Sequence, residues 1–386
     1  MPEPKRILLL YSNTGGGHRS AALAIREALE SGYPGRYRVE LLDALSEYAP
    51  RPLSYAPRLY PELTNFPRMW RFGYRLIDGR RRARVLSAAL WPYVRSPASR
   101  LLAERPADLL VSVHPLLVSP MLRAMRGRTP PLVTVVTDLV STHALWFHPE
   151  SSLCILPTEA ARSSALRHGL SEERLRVTGL PVARGFFPAS RGQAARRRKL
   201  GWPTDRPVVL LMGGGDGLGP IYQTARAIAR PGGDFCLAVV AGRNWRLLER
   251  LQAADWEVPT YLYGFQEQLA PMMQAATLLV SKAGPSTITE AVNTGLPMVL
   301  YGRIPGQEDG NVTYVEEQGV GIWAPGPIRT AQAVHHWLQH PAELKRAAQA
   351  CLRIARPRAA AEIAEILDGF LQTSIQGWRL QALGAV

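Results

Sequence analysis

The chain reads as α/β, with two doubly wound parallel-sheet domains of similar plan. Two glycine triplets, Gly15-Gly16-Gly17 and Gly213-Gly214-Gly215, each close an apolar run, Ile7 to Tyr11 and Val208 to Met212. Each triplet then opens a helix-compatible stretch, so strand, glycine loop and helix occur twice. A length of 386 residues exceeds one ordinary domain and suits two. Ligands of such sheets bind at the carboxyl ends of the strands, so two Rossmann-like domains facing a central cleft can hold two substrates.

In the first domain, residues 1–187, Ile7 to Tyr11 is a buried parallel-type strand, followed by the loop and a helix from Arg19 to Ser31. Arg38 to Leu42, Leu109 to Val113, Leu132 to Thr137 and Ser152 to Leu156 are further strands, ending at Asp43, His114, Asp138 and Pro157. Residues 48–100 break this alternation with prolines, arginines and aromatics, and read as an insertion of short helices and loops. Pro188 to Gly192 and the basic run Arg196 to Lys199 precede the fresh strand at Val208, which puts the boundary there. The second domain, residues 188–386, repeats strand and helix through Leu237 to Val240, Leu278 to Val280 and Met298 to Leu300. It ends in a long helix from Arg358 and a tail.

The net charge of +15 is local: residues 51–100 hold eleven Lys and Arg against two Asp and Glu. Such a patch draws nucleic acid or an anionic membrane surface equally well on charge alone. Cys154, Cys236 and Cys351 are scattered singly, which leaves no zinc or disulfide framework and suits a reducing cytosol. Nothing in the chain has the length and apolarity of a signal peptide or membrane span.

His18 follows the first triplet at a helix start, where an imidazole serves as a general base or simply closes a turn. Asp138 and His114 each end a strand, and Trp146 follows shortly after. In the second domain, Gly284 opens a turn after a strand, and Ser286 and Thr287 begin the next helix. That start suits a pyrophosphate, with Glu290 one turn on for a ribose diol; an ordinary capped helix is the alternative. Gln307, Glu308, Asp309 and Asn311 form a polar loop that suits sugar hydroxyls, without the spacing of a calcium loop. In the insertion, Trp70, Arg81, Arg82 and Trp91 suit the headgroup region of a bilayer, single-stranded nucleic acid, or a packed helix pair with a solvated basic face.

These blocks, in this order, resemble the monogalactosyldiacylglycerol synthase and processive diacylglycerol glucosyltransferase group of glycosyltransferase family 28. The resemblance rests on Asn13 to Arg19, Ser112 to Pro115, Val136 to Leu139, Trp146 to Pro149, Leu211 to Pro220, Ser281 to Glu290 and Gly306 to Asn311. It implies the GT-B fold and a metal-independent, inverting transfer of galactose or glucose from a UDP-sugar to diacylglycerol, with no cofactor. His18, or else Asp138, is then the base, beside acceptor-side Gly17, His114 and Trp146. The donor contacts it implies are Gly214, Gly215, Lys282, Gly284, Ser286 and Thr287 at the diphosphate and Phe265 by the uracil. Glu290 falls at the ribose, and Gln307, Glu308 and Asn311 at the hexose. Two residues depart from the pattern: Ser286 stands where glycine is common, and Asp309 where glutamate or a small residue is common. The partners implied are UDP-hexose, diacylglycerol and an anionic membrane surface, not nucleic acid, and the location a peripheral one on the cytoplasmic face of the cell membrane. The alternative within family 28 is a UDP-GlcNAc transferase acting on a lipid-linked peptidoglycan intermediate.

Overall fold

The computed structural model describes residues 3–64, 66–125, 130–187 and 192–383. They form two compact units: Met1–Leu59, Tyr74–Ala183 and Arg358–Val386 make the first, Tyr60–Gly73 and Arg184–Pro357 the second. The expected boundary residues 188–191 lie outside the described residues.

The first unit carries a six-stranded parallel sheet of β1 (Lys5–Tyr11), β2 (Tyr37–Asp43), β3 (Leu109–Ser112), β4 (Leu132–Val135), β5 (Leu153–Leu156) and β6 (Leu175–Val177). Its order is β2-β1-β3-β4-β5-β6. The chain reverses its direction of growth at β1, which makes the carboxyl ends of β1 and β3 a topological switch point. Between strands run α1 (Gly17–Gly32), α2 (Ala44–Tyr48), α3 (Ala56–Thr64), α4 (Pro67–Ile77), α5 (Arg80–Glu104), α6 (Pro115–Met125) and α7 (Glu159–Arg167). Alternate residues of β1 feed opposite faces: Ile7 and Leu9 pack with Ile25 and Leu29 of α1, whereas Leu8 and Leu10 pack with Leu117 and Met121 of α6.

The second unit repeats the plan with β7 (Val208–Met212), β8 (Cys236–Val240), β9 (Thr260–Tyr263), β10 (Leu278–Lys282), β11 (Met298–Gly302) and β12 (Gly321–Trp323), in the order β12-β11-β10-β7-β8-β9. Its switch point falls between β7 and β10. The helices are α8 (Gln193–Leu200), α9 (Ile221–Ala229), α10 (Trp245–Gln252), α11 (Ala270–Ala275), α12 (Pro285–Thr294), α13 (Asp309–Glu317), α14 (Pro327–Gln339) and α15 (Pro341–Ile354).

Two features differ from the sequence reading. The last helix, α16 (Ala359–Leu383), groups with the first unit rather than the second. Its apolar stripe Ile363, Leu367 and Leu371 is buried against the α1 side of the first sheet, and the Tyr37 hydroxyl donates to Asp368. The insertion is not made only of short pieces: α5 runs 25 residues through Pro92 and Pro97. Each proline removes one backbone donor, yet the helix continues because Ala83, Ala98 and Leu101 stay buried along one side. Residues 60–73 of the insertion group with the second unit.

Candidate active site

At the first switch point, Gly15 and Gly16 take φ of 77° and 82°, a left-handed backbone that a side chain would strain. They turn the chain from β1 straight into α1, whose N-terminus has no side-chain cap. Gly17 is the first helical residue and His18 the second, so the imidazole sits beside the free N–H groups of the helix end. Its Nδ1 lies 2.8 Å from the Val113 carbonyl oxygen and 2.8 Å from the Thr137 hydroxyl. A carbonyl only accepts, so Nδ1 carries the proton and Nε2 keeps its lone pair. Burial pushes the His18 pKa down to about 4, against a smaller upward pull from the Val113 carbonyl. The ring is therefore a neutral base at physiological pH.

Three further predicted residues gather around it. The His114 ring meets His18 edge-on at 4.5 Å between centroids. Leu116 N–H donates to His114 Nδ1 at 3.3 Å, so Nε2 bears the proton and donates to Thr14 Oγ1 at 3.0 Å. Burial first, and the neighbouring His18 second, hold the His114 pKa well below its ordinary value. The buried Trp146 ring lies 6.1 Å from His18, and its indole N–H donates to Asp138 Oδ2 at 2.6 Å. Asp138 thus orients the aromatic wall. Sequence reasoning missed Thr14, Thr137 and the Val113 carbonyl; Thr137 and Val113 directly precede Asp138 and His114, which was the available signal.

At the second switch point the loop after β7 admits only glycine where the chain crowds itself. A Cβ on Gly213 would lie 2.4 Å from the Leu218 carbonyl oxygen, and one on Gly217 2.1 Å from that of Ala241. Gly214 faces Lys282, whose Nζ pairs with Glu308 Oε1 at 2.5 Å; the other Glu308 oxygen accepts from Ile304 N–H at 2.8 Å. Gly284 leaves a Cβ position 3.0 Å from Lys282 Nζ, so a cation and an uncapped helix start converge there. Pro285 opens α12, and the amides of Ser286 and Thr287 are among those with no partner inside the helix. Glu290, one turn on, is buried, and burial pushes its pKa up to about 8. Phe265 is exposed after β9 beneath the Arg243 guanidinium, 4.3 Å from the ring centre, and Arg243 pairs with Asp216 at 2.9 Å. That cation–aromatic pair beside Gly215 was also missed, because Arg243 and Asp216 meet only through the fold.

In the polar loop, Gln307 accepts from the Tyr60 hydroxyl at 3.4 Å, and Asp309 pairs with Arg303 at 2.7 Å. Asn311 is a tie as much as a contact: it is buried, its amide donates to the Ala283 carbonyl at 2.9 Å, and its own oxygen has no partner. In the insertion, Trp70 packs edge-on against Tyr60 with its indole N–H buried, and Trp91 lies half-buried beneath Arg123. Arg81 and Arg82 are exposed, with Arg82 donating to the Arg75 carbonyl at 2.8 Å.

The chloroplastic monogalactosyldiacylglycerol synthase of Spinacia oleracea is 37% identical over 386 residues, spanning 96% of this chain and 74% of its own. The chain belongs to the monogalactosyldiacylglycerol synthase family. The family profile for monogalactosyldiacylglycerol synthase matches residues 18–182, and that for the glycosyltransferase family 28 C-terminal domain matches residues 223–348. Monogalactosyldiacylglycerol synthase 1 of Arabidopsis thaliana, also chloroplastic, is 36% identical across 93% of this chain and 70% of its own. These chloroplastic relatives overturn the expectation of a place on the cytoplasmic face of the cell membrane. Among solved structures, MurG of Acinetobacter baumannii aligns with a TM-score of 0.60 at 16% identity, over 95% of this chain and 100% of its own. The S. aureus MnaA–UDP co-structure aligns at 0.63 and 14%, over 95% and 97%. The likeness to MurG shows the GT-B fold, and family membership makes the protein a glycosyltransferase.

Proposed function

We infer that this synthase-family protein transfers galactose from UDP-galactose to the free hydroxyl of diacylglycerol, with inversion, at a lipid surface. The state of His18 carries the reading: a neutral imidazole, proton fixed on Nδ1, lone pair open on Nε2, at the switch point of the first sheet. In a single displacement, Nε2 takes the acceptor proton as the hydroxyl oxygen forms its bond to the anomeric carbon and the bond to UDP breaks. An α-linked donor becomes a β-galactoside. His114 and Trp146 wall the imidazole, and Asp138 holds Trp146 in place.

On the donor side, the charge that develops on departing UDP meets the start of α12 and the Lys282 ammonium. Transfer through this arrangement needs no metal, so chelation leaves the rate unchanged. Phe265 offers a face to the uracil, and Glu290 serves the ribose diol. The choice of galactose and diacylglycerol rests on the names of the relatives, which the likeness to MurG, confined to fold, does not offset.

The lipid-surface part of the reading moves from the predicted tryptophans to α4 and its flank. Phe66, Met69, Phe72 and Leu76 are all exposed at helical spacing, with exposed Arg68, Arg71 and Arg75 beside them. Apolar side chains beside arginines form an interfacial face; no described helix is long and apolar enough to cross a membrane. The test is turnover with UDP-galactose, UDP-glucose and UDP-GlcNAc in turn against diacylglycerol, with and without chelator. Lipid-linked galactose as the dominant product is expected; transfer of GlcNAc alone would contradict the reading.

A further inference from the structure

A second feature of the first unit has no part in that chemistry. Between α2, α5 and α6 lies an apolar cleft of about 100 Å³. Its walls include Leu45, Leu86, Leu90, Val94, Leu117 and Met121. The polar side chains on it include Tyr48, Ser87, Ser119 and Arg123; the Tyr48 hydroxyl is engaged, donating to Glu104 at 2.9 Å, and Arg123 donates to the Ser87 carbonyl at 3.3 Å and lies 5.8 Å over the Trp91 ring. Among the described residues no carboxylate side chain lines it, and Arg123 is turned onto an aromatic face. The cleft suits an uncharged hydrocarbon.

Two parts of its lining point to the occupant. Pro115, Leu116 and Leu145 line it, and they are chain neighbours of His114 and Trp146, the two rings against His18. Leu53 and Ala56 also line it, and the exposed Tyr55 and Leu59 belong to the same short stretch. The apolar lining thus includes residues beside the exposed Tyr55 and Leu59 and residues next in sequence to the walls of the imidazole. A single flexible chain that enters from a lipid surface and ends at an oxygen near His18 has the shape of an acyl ester.

We propose that this cleft holds one fatty acyl chain of the diacylglycerol acceptor, and that its register against Leu116 and Leu145 places the glycerol hydroxyl at His18 Nε2. This rests on the proposed acceptor but goes beyond it, making one of the two chains a specificity determinant. For an acceptor dissolved as monomers, two more methylenes in the cleft are worth about tenfold in kcat/KM at the usual burial free energy. A chain left in solvent adds no such discrimination.

Two experiments decide it. With dihexanoylglycerol and dioctanoylglycerol below their aggregation limits, the dioctanoyl preference is expected to be about tenfold, and Val94→Phe or Ala49→Phe, which fill the cleft, to bring the ratio towards one. A preference equal in parent and both filled variants would overturn the proposal. In the second, a diacylglycerol brominated in one chain is titrated without donor while tryptophan emission is recorded. Quenching that is lost in Trp91→Phe supports the cleft; quenching that is the same in that variant refutes it. Absence of transfer to either acceptor would refute the proposed function, while the quenching titration, which needs no turnover, still decides where the chain binds.

Discussion

At pH 5 an imidazole with the ordinary pKa of 6.5 is about 3% neutral, whereas His18, held near 4, is about 90% neutral. If His18 is the base, kcat/KM at pH 5 therefore stays close to its value at pH 7.5, instead of falling about thirtyfold. The same shift has a stability consequence of fixed sign. The folded pKa lies below the unfolded one, so the unfolded chain binds more protons between pH 4 and 6.5, and stability falls as pH drops through that window. The gap corresponds to roughly 3 kcal/mol at most. His18→Ala removes that slope, lowers kcat by roughly 100- to 10,000-fold, and leaves UDP affinity unchanged. The assay is a pH–rate profile of parent and variant with saturating UDP-galactose, beside urea unfolding at pH 7.5 and 4.5. An acid limb centred near 6.5, or a variant within about tenfold of the parent, would refute the assignment of the base.

Other expectations follow from particular residues. Glu290 is the reverse case: its folded pKa of about 8 lies above the unfolded value of 4.5, so it contributes stability at low pH that is lost as pH rises through 8. Glu290→Gln, which mimics the protonated acid, flattens that loss, and thermal melts at pH 6 and 8.5 read it. Leu367→Ala opens a void under α16 and destabilises the first unit by about 2–5 kcal/mol, seen as an earlier melting transition. Replacing the exposed Phe72 and Leu76 together with Asp leaves melting unchanged but releases the protein from anionic vesicles in a flotation assay.

Much of this was legible because buried parallel strands are continuous apolar runs. The strand Val208–Met212 stands where the sequence put it, and Leu109, Leu132 and Leu153 begin strands at or within a residue of the expected places. The short edge strand Leu175–Val177 was not seen, since Leu-Arg-Val has neither length nor alternation. Prolines concealed α5, because a proline argues against a helix locally while burial of Ala98 and Leu101 sustains it across the break. The apolar stripe of α16 was visible, but a stripe does not name the core it joins. Likewise His18 was readable as a candidate base, whereas its tautomer depends on Val113 and Thr137, about 100 residues away in sequence and adjacent only through the parallel order of β1, β3 and β4. The exposure within the insertion was not legible either: Trp70 and Trp91 are half-buried against neighbours, whereas Phe66, Met69, Phe72 and Leu76 are exposed.

The most direct test of the central claim is the anomeric configuration of the product. UDP-galactose, diacylglycerol and purified protein should give a galactosyl lipid whose anomeric proton shows the large diaxial coupling of a β-linkage, with none formed by His18→Ala. An α-linked product, or a β-linked one made equally well without His18, would contradict it.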